Sequence, residues 1–435
     1  MTARVEPLGR IRGTVVVPPD KSISHRALIF NAIAKGPARI DGLLDSSDVR
    51  ATASCLRALG VDVEWEAGAS SATVSGQGLH SLFEADDVMD CGNSGTTMRL
   101  LTGLLAAHPI LSILTGDASL RSRPMARIIS PLRQMGADLR ARSGDTLAPI
   151  VIRGGGLRAI DYRSPVASAQ VKSAILLAGL YAEGATTVSE PAKSRDHTER
   201  LLAAMGVTLT VIDEAVTLTP PSRMEPLSLR VPGDMSSAAP WLVLAACHPD
   251  AELHLSGVGT NPTRSGILEV LTAMGADFDV GEERTVGGEP VADVVVRSSR
   301  LRGTTVSGET IPRAIDELPL VAVLACFAEG ETVVQDAAEL LVKESDRAAA
   351  TVRVLTQMGA RIRLRPDGFV VDGPCELRGA RVDAEGDHRI GMLAAVAGAL
   401  ASSGSTTVQD AAVEVSYPGF FADLEQAARG SATPV

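Results

Sequence analysis

The chain has 435 residues, of which 45% are hydrophobic, 21% charged and 3% aromatic, and its formal net charge is −11 at pH 7. This composition is typical of a packed globular protein with two or three domains, and the acidic balance argues against nucleic acid as a partner. A run of about 18 apolar residues, the length that predicts a membrane span, does not occur. The start, MTARVEPLGRIRG, has no apolar signal segment, so we expect a cytoplasmic protein with no membrane partner.

The cysteines show no CxxC spacing, and the histidines of interest lie in charged stretches without a ligand-like spacing. These residues are Cys55, Cys91, Cys247, Cys326 and Cys375, and His25, His197 and His388. We expect reduced thiols in the core and histidines that form hydrogen bonds, rather than a metal site.

The first predicted helix opens with DKSISHRALIF at residues 20–30, where polar and charged side chains precede an apolar run. One interpretation is an ordinary capped helix start in solvent. The other is an anion site, because a helix N-terminus offers free N–H groups and partial positive charge.

Similar helix starts recur along the chain. Five more apolar helices begin at CGNSGTTMR, SPVASAQVKSA, PGDMSSAA, RAIDELP and GDHRIGM. A second helix follows each of the six, near SSDVRA, SRPMAR, SRDHTER, PTRSGI, ESDRAA and SYPGFF. Five of these second helices end at a glycine that precedes an alternating strand, and the glycines are spaced roughly 70 to 85 residues apart. They are Gly60, Gly136, Gly206, Gly275 and Gly359. We therefore predict an α/β fold made of six βαβαββ units, with each glycine as a left-handed C-cap.

Cations cluster at these helix starts, although a cation in a first helical turn opposes the macrodipole. They are Lys21, Arg26, Arg99, Arg121, Arg123, Lys172, Arg195, Lys343, Arg347 and Arg389. Their repetition favours anion binding over ordinary capping.

Two carboxylates are candidates for general acid and base chemistry. Asp316 precedes a wholly apolar helix, and Glu344 stands near Lys343 and Arg347. The alternatives are an N-cap for Asp316 and a surface ion pair for Glu344. No HExxH, GxSxG or Walker motif is present.

The motifs DKSISHRA, GNSGTTMR, LRSRPM, SAQVKSA, DELP, VKESDR and DHRIGM occur in this order. Together they resemble the 5-enolpyruvylshikimate-3-phosphate synthase family (3-phosphoshikimate 1-carboxyvinyltransferases) over essentially the whole chain. The resemblance implies an inside-out α/β barrel architecture: two similar domains of three βαβαββ units each, with helix N-termini facing an interdomain cleft. It implies one domain at residues 21–233 and another at 1–20 plus 234–435.

The resemblance implies transfer of the carboxyvinyl group of phosphoenolpyruvate to the 5-hydroxyl of shikimate 3-phosphate, with loss of phosphate. The implied enzyme belongs to the shikimate pathway of aromatic amino acid biosynthesis, works as a monomer and needs no metal or organic cofactor. The implied route is addition to a tetrahedral intermediate followed by elimination.

The implied site residues fall into three groups. The catalytic residues are Asp316, Glu344 and Lys21. Those for shikimate 3-phosphate are Lys21, Ser22, Arg26, Ser168, Ala169, Gln170, Ser194, Arg195, Asp316 and Lys343. Those for phosphoenolpyruvate are Lys21, Asn93, Gly95, Arg123, Gln170, Arg347 and Arg389.

The chain departs from the family pattern at two positions. Val415 stands where some members have a lysine, and Leu100 where many have a proline. Gly95 is retained, and bulk at that position affects glyphosate sensitivity in the family. We predict a glyphosate-sensitive enzyme.

Two rival functions remain at this point. The first is the sister carboxyvinyl transferase that acts on UDP-N-acetylglucosamine, but Ala118 stands where that enzyme normally carries a cysteine. The second is a non-catalytic anion-binding repeat protein, which would have no need for Asp316 or Glu344.

Overall fold

The structure, a computed structural model, describes residues 2–410 and 412–428. The chain divides into two compact units. The first unit is Pro19–Val231 with Thr285–Glu289, and the second unit is Met1–Pro18, Pro232–Arg284 and Pro290–Val435. The short segment Thr285–Glu289 was not anticipated as part of the first unit. Each unit contains both helices and sheets, which confirms the predicted α/β class.

The strands of the described residues are, in chain order, β1 Ala3–Val5, β2 Ile11–Val15, β3 Lys35–Asp41, β4 Asp62–Glu64, β5 Ser71–Gln77, β6 Met89–Asp90, β7 Leu111–Thr115, β8 Asp138–Ala141, β9 Leu147–Arg153, β10 Asp161–Arg163, β11 Thr186–Ser189, β12 Thr208–Ile212, β13 Ala215–Thr219, β14 Leu229–Arg230, β15 Ala251–Gly259, β16 Asp277–Val280, β17 Arg284–Val286, β18 Glu289–Arg297, β19 Thr305–Val306, β20 Gly330–Val334, β21 Ile362–Arg365, β22 Gly368–Gly373, β23 Arg381–Asp383 and β24 Thr406–Gln409.

The helices are α1 Lys21–Ala32, α2 Ser47–Ala58, α3 Gly95–Leu105, α4 Ala126–Gln134, α5 Arg142–Asp145, α6 Ala169–Gly179, α7 His197–Ala204, α8 Met235–Cys247, α9 Gly266–Ala273, α10 Thr310–Ala314, α11 Leu318–Phe327, α12 Arg347–Gln357, α13 His388–Ala399 and α14 Phe420–Ala428. No helix in the described part of the chain is long and apolar enough to cross a membrane.

The first unit contains three four-stranded sheets with one strand order. In chain order of their helices they read β14-β3-β5-β4, β6-β7-β9-β8 and β10-β11-β13-β12. In each sheet the first pair is parallel and the other two pairs are antiparallel. This is the order that a βαβαββ unit produces, because a parallel pair needs a helical crossover whereas an antiparallel pair can be joined by a hairpin.

The second unit repeats this strand order in two of its sheets, and another of its sheets has three strands. Its sheets are β16-β18-β15-β2, β19-β20-β22-β21 and a three-stranded sheet, β1-β24-β23. Strand β2 pairs in parallel with β15, and Ile11 lies opposite Ala251. The first residues of the chain therefore belong to the second unit, while β14 returns to pair with β3 and completes the first.

The first helix of each repeat is buried on almost every side. In α8 every residue from Met235 to Ala246 is buried, and α13 is buried from end to end. Helices that are apolar all round pack in a core rather than on a surface, and each unit has its own core. Small residues allow this packing: a Cβ on Gly103 of α3 would lie 2.2 Å from the carbonyl oxygen of Ala174 in α6.

The predicted glycine caps are present. Gly60, Gly136, Gly206, Gly275 and Gly359 all have positive φ, between +79° and +101°. This left-handed conformation ends each second helix at little steric cost, so this part of the repeat prediction is confirmed.

Candidate active site

In the first unit, the opening motif places a cation in the first turn of α1. The helix begins at Lys21 because the side chain of Asp20 accepts a hydrogen bond from the N–H of Ile23 at 2.8 Å. The Nζ of Lys21 lies 3.2 Å from Oδ2 of Asp48, in the first turn of α2. The two helix starts are thus joined by an ion pair, and Asp48 is a partner that the sequence did not predict.

Arg26 lies in the interior of the unit, with 3% of its surface exposed. Its guanidinium donates to Oγ1 of Thr198 and to Oγ of Ser173, both at 2.7 Å, and to the carbonyl of Ser22 at 3.0 Å. Burial lowers the pKa of Arg26 to about 10, with Glu199 opposing the shift. The group therefore remains cationic at neutral pH.

The residues predicted to hold phosphoenolpyruvate form a second cluster in this unit. Arg123 donates to Oδ1 of Asn93 at 2.5 Å, and Arg99 donates to Oε1 of Gln170 at 2.6 Å. Gly95 is the first residue of α3, and a Cβ there would lie 2.7 Å from Nη1 of Arg99. Because Gly95 has no side chain, there is room beside the N-terminus of α3 for the guanidinium groups of Arg99 and Arg123.

Ser168 and Ser194 are brought together by a residue that the sequence analysis missed. The carboxylate of Glu190 accepts from the N–H of Ser168 at 2.9 Å and from Oγ of Ser194 at 2.6 Å. Ser168 is the N-cap of α6, and Ala169 is the first residue of that helix. Arg195 directly follows Ser194 and precedes α7.

Lys172 corrects the interpretation of helix-start cations as anion ligands. Its side chain is 2% exposed and lies 2.8 Å from both Glu190 and Glu199. Burial would lower the pKa of Lys172, but the two carboxylates outweigh it and raise the pKa. Glu190 and Glu199 neutralise the charge of Lys172 inside the protein, so Lys172 does not serve as an anion ligand at the start of α6.

In the second unit, one guanidinium joins three carboxylates. Arg347, the first residue of α12, contacts Asp387 through Nε at 2.9 Å, Asp316 through Nη1 at 2.9 Å and Glu344 through Nη2 at 2.5 Å. Its side chain is only 2% exposed. Burial would lower the pKa of Arg347, but the carboxylates outweigh burial and raise it.

The alternative readings of the two catalytic candidates are wrong. The N-cap of α11 is Glu317, not Asp316. Glu344 is 27% exposed and its partner Arg347 is buried, so their contact is not a surface ion pair. Lys343 Nζ lies 4.0 Å from Asp316 Oδ1. The structure thus brings Asp316, Lys343, Glu344 and Arg347 together, as the resemblance implies.

Asp387 holds the start of α13 against α12. It is fully buried, it caps the helix by accepting from the N–H of Arg389 at 2.9 Å, and it also bonds Arg347. Burial alone would raise the pKa of Asp387, but Arg347 and His388 outweigh it and hold the pKa below its ordinary value. Arg389, also buried, donates to the carbonyl of Ser236 at 3.1 Å.

Arg264 is a further cation of this unit that sequence reasoning missed. It donates to Oδ1 of Asp234 at 2.8 Å and to Oγ of Ser236 at 2.9 Å, and its Nη1 lies 4.0 Å from Oδ2 of Asp316. Burial would raise the pKa of Asp234, but Arg264 and Arg389 lower it to about 2. The sequence signal for Arg264 is its place in the motif PTRSGI, just before α9 begins at Gly266.

The comparisons with known proteins agree with these motifs. Residues 5–424 match the family model described as EPSP synthase (3-phosphoshikimate 1-carboxyvinyltransferase). The chain belongs to the EPSP synthase family. A 3-phosphoshikimate 1-carboxyvinyltransferase of Herpetosiphon aurantiacus is 54% identical over 421 residues, covering 96% of this chain and 97% of the relative. One from Gloeobacter violaceus is 54% identical over 422 residues, covering 97% of both.

Two solved structures share the fold over nearly the whole chain. An EPSP synthase from Acinetobacter baumannii superimposes with a TM-score of 0.88 at 41% identity, covering 99% of this chain and 98% of the other. The enolpyruvyl transferase NikO from Streptomyces tendae has a TM-score of 0.79 at 19% identity, covering 98% of this chain and 96% of that one, and shows the fold alone. The predicted two-domain inside-out α/β fold is thereby confirmed.

Two of the histidines near the helix starts, His25 and His197, are buried and hydrogen-bonded. His25 is fully buried, and its Nδ1 lies 2.7 Å from Oγ1 of Thr52. Burial holds the pKa of His25 well below its ordinary value, with Lys21 contributing. His197 bonds Glu289 at 2.8 Å. Among the described residues no group of three or more His, Cys, Asp or Glu side chains is arranged to hold a metal ion.

Proposed function

We propose that this protein transfers the carboxyvinyl group of phosphoenolpyruvate to the 5-hydroxyl of shikimate 3-phosphate and releases phosphate, as a transferase of the shikimate pathway. The identity of 54% with a 3-phosphoshikimate 1-carboxyvinyltransferase over 96% of the chain carries the proposal. The joining of Asp316 and Glu344 by Arg347 supports it, because the reaction needs two proton-transfer groups beside a fixed cation.

Shikimate 3-phosphate is assigned to residues with hydroxyl, amide and cationic groups. From the first unit these are Lys21, Ser22, Arg26, Ser168, Ala169, Gln170, Ser194 and Arg195, and from the second unit Asp316 and Lys343. The cap of α6 at Ser168 offers N–H groups that suit phosphate oxygens.

Phosphoenolpyruvate is assigned to the arginine-rich groups. These are Lys21, Asn93, Gly95, Arg123 and Gln170 of the first unit and Arg347 and Arg389 of the second. Arginine is suited to this substrate because its planar fork binds carboxylate and phosphate oxygens in pairs.

The addition moves two protons: one leaves the attacking hydroxyl, and one reaches C3, the neighbour of the carbon that the oxygen attacks. Asp316 accepts the proton of the 5-hydroxyl as the oxygen bonds to C2 of phosphoenolpyruvate, while Glu344, with Lys21, protonates C3. The product of this addition is a tetrahedral intermediate with a methyl group. Loss of a methyl proton and of the C2–O bond to phosphate then restores the double bond.

Arg347 is arranged to hold the substrate beside the catalytic carboxylates. Nε, Nη1 and Nη2 each contact a carboxylate in the structure. A guanidinium has five N–H donors, so the second N–H groups of Nη1 and Nη2 can donate to the anionic substrate while Asp316 and Glu344 stay in contact with Arg347.

The proposal is tested by phosphate release from phosphoenolpyruvate with three acceptors in parallel: shikimate 3-phosphate, UDP-N-acetylglucosamine and none. We expect release with shikimate 3-phosphate alone. Release with the nucleotide sugar alone would overturn the acceptor, and no release from folded protein would leave only a binding role. Glu344→Gln should lower kcat by about a hundredfold or more, the usual scale for loss of a general acid, and Arg363→Gln, at an exposed ion pair, serves as the control.

We also propose that the protein works as a cytoplasmic monomer on small-molecule substrates, without nucleic acid as a partner. The acidic net charge of −11 supports the last point. The thiols of all five cysteines are free, and four of them are buried, which is typical of proteins in reducing compartments. Light scattering of the purified protein tests the oligomeric state, and a dimer mass would contradict the monomer.

A further inference from the structure

Three charged side chains lie buried together in the first unit, and no step of the proposed reaction uses them. Lys172 of α6 lies 2.8 Å from Oε2 of Glu190 and 2.8 Å from Oε1 of Glu199 of α7. The three side chains are 2%, 2% and 7% exposed. Burying such charges costs several kcal/mol each, and apolar replacements of buried ion pairs are often neutral or stabilising. Their presence therefore points to a role besides stability.

Lys172, Glu190 and Glu199 form a buried triad. Glu190 connects this triad to two residues assigned to shikimate 3-phosphate. Its Oε1 accepts from the N–H of Ser168 at 2.9 Å and from Oγ of Ser194 at 2.6 Å. Its Oε2 accepts from the N–H of Ser194 at 3.3 Å, and the carbonyl of Ser194 accepts from Lys172 at 3.3 Å. The triad thus fixes both the cap of α6 and the backbone that carries Arg195.

The direction of the Ser194 hydrogen bond limits what that hydroxyl can do. A hydroxyl has one proton, and a carboxylate can only accept, so the proton of Ser194 is directed at Glu190. A phosphate dianion needs donors, and in this arrangement Ser194 offers it none from its side chain. Ser194 therefore acts through the position of its backbone and of Arg195.

The other side of the triad adjoins the contacts of Arg26. Ser173 follows Lys172, and Thr198 precedes Glu199 in the sequence. These two hydroxyls hold the guanidinium of Arg26 at 2.7 Å each. Each helical member of the triad thus stands next to a residue that orients Arg26.

We propose that Lys172, Glu190 and Glu199 are positioning residues that set where Ser168, Arg195 and Arg26 meet the acceptor, shikimate 3-phosphate. The proposal deepens the assignment of this site and rests on the proposed function. It explains why a lysine stands in the first turns of α6 without serving as a substrate ligand. It also predicts that substitutions in the triad weaken the binding of shikimate 3-phosphate and leave the binding of phosphoenolpyruvate unchanged.

The direct test is Glu190→Gln, measured by phosphate release with each substrate varied in turn. The amide cannot accept at both ends, so its NH2 group would face either the ammonium of Lys172 or the N–H of Ser168. We expect KM for shikimate 3-phosphate to rise about tenfold, the scale of one hydrogen bond to a charged group. We expect kcat and KM for phosphoenolpyruvate to stay within about twofold. Stabilisation of the protein against heat by shikimate 3-phosphate should shrink in parallel.

Glu289→Gln is the matched control. Glu289 is as buried as Glu190 and also pairs with α7, through His197, whereas the N–H of Ser168 and the hydroxyl of Ser194 both donate to Glu190. We expect this variant to lose heat stability while its KM for shikimate 3-phosphate stays within about twofold of the wild type. An equal rise in the control would show general damage to the unit and contradict the positioning role.

Glu199→Gln provides a gentler variant, because the amide keeps the shape and can keep an oxygen beside the ammonium of Lys172. If Glu190→Gln does not fold, an unchanged KM for shikimate 3-phosphate in Glu199→Gln contradicts the proposal, and a selective rise supports it. A wild type that releases no phosphate with this acceptor overturns the proposed function and the triad role together. A working wild type with unaffected variants overturns the triad role alone.

Discussion

Gly95 and the two arginines beside it determine how much room phosphoenolpyruvate has in the proposed site. A Cβ at this position would lie 2.7 Å from Nη1 of Arg99 and 3.6 Å from Nη1 of Arg123. The nearest of these atoms is the end of a flexible side chain, so the helix can tolerate alanine while Arg99 moves. That movement strains the 2.6 Å bond between Arg99 and Gln170.

Gly95→Ala should therefore fold normally but raise KM for phosphoenolpyruvate by about tenfold, since a charge-assisted contact is displaced. Glyphosate, which also carries a carboxylate and a phosphorus oxyanion, should inhibit the wild type at micromolar concentration and the variant much less. Steady-state kinetics with and without the inhibitor measure both effects. If micromolar glyphosate left the activity of the wild type unchanged, the predicted sensitivity would be wrong.

Asp234 makes the second unit sensitive to acid. Its pKa is lowered to about 2 from 3.8, because Arg264 and Arg389 outweigh the effect of burial. A carboxyl whose pKa is lower in the folded state contributes stability above its ordinary pKa. That contribution is lost as the pH falls from about 4 towards 2, and the shift corresponds to about 2 kcal/mol.

Asp234→Asn should remove this pH-dependent contribution to the free energy of unfolding. The amide oxygen can still cap α8 by accepting from the N–H of Ser236. We expect the variant to be about 2 kcal/mol less stable than the wild type at neutral pH, with the difference vanishing near pH 2. Urea unfolding between pH 7 and 2 measures this difference in stability. A stability difference that does not change with pH would contradict the lowered pKa of Asp234.

At the scale of elements, the periodic features could be predicted from the sequence and the long-range partners could not. Helix starts and glycine caps depend on neighbours in the chain, so their residue types identify them. Asp48, Glu190 and Asp387 bond residues 22 to 40 positions away. A carboxylate with a distant partner has the same sequence signature as one in solvent, which is why these three were missed.

The close packing of α3 on α6 depends on a glycine in the middle of α3. A Cβ on Gly103 would lie 2.2 Å from the carbonyl oxygen and 2.7 Å from the Cα of Ala174, and both are backbone atoms that cannot turn aside. Gly103→Ala should therefore destabilise the protein by about 1–3 kcal/mol or more, although alanine favours helix. Gly9→Ala, at a site with no atom within 4 Å of the added Cβ, is the control. Equal heat stability of the two variants would contradict the packing argument.

At the scale of the whole molecule, each unit has its own core and three sheets with related strand orders. We propose that the two domains are residues 21–233 and residues 1–20 plus 234–435. The pairing of β2 with β15 and of β14 with β3 supports boundaries near these points. Residues 21–233 expressed alone should unfold cooperatively, and a chain without such a transition would contradict the proposal.

We propose that this protein joins phosphoenolpyruvate to shikimate 3-phosphate by addition and elimination. The most direct measurement is proton NMR of the reaction run in D₂O with both substrates and the purified protein. We expect a new vinyl product that carries deuterium at its methylene carbon, because C3 gains a solvent deuteron and then loses one of three hydrogens. A product without deuterium would contradict the methyl intermediate and the role of Glu344, and the absence of any vinyl product would contradict the proposed function itself.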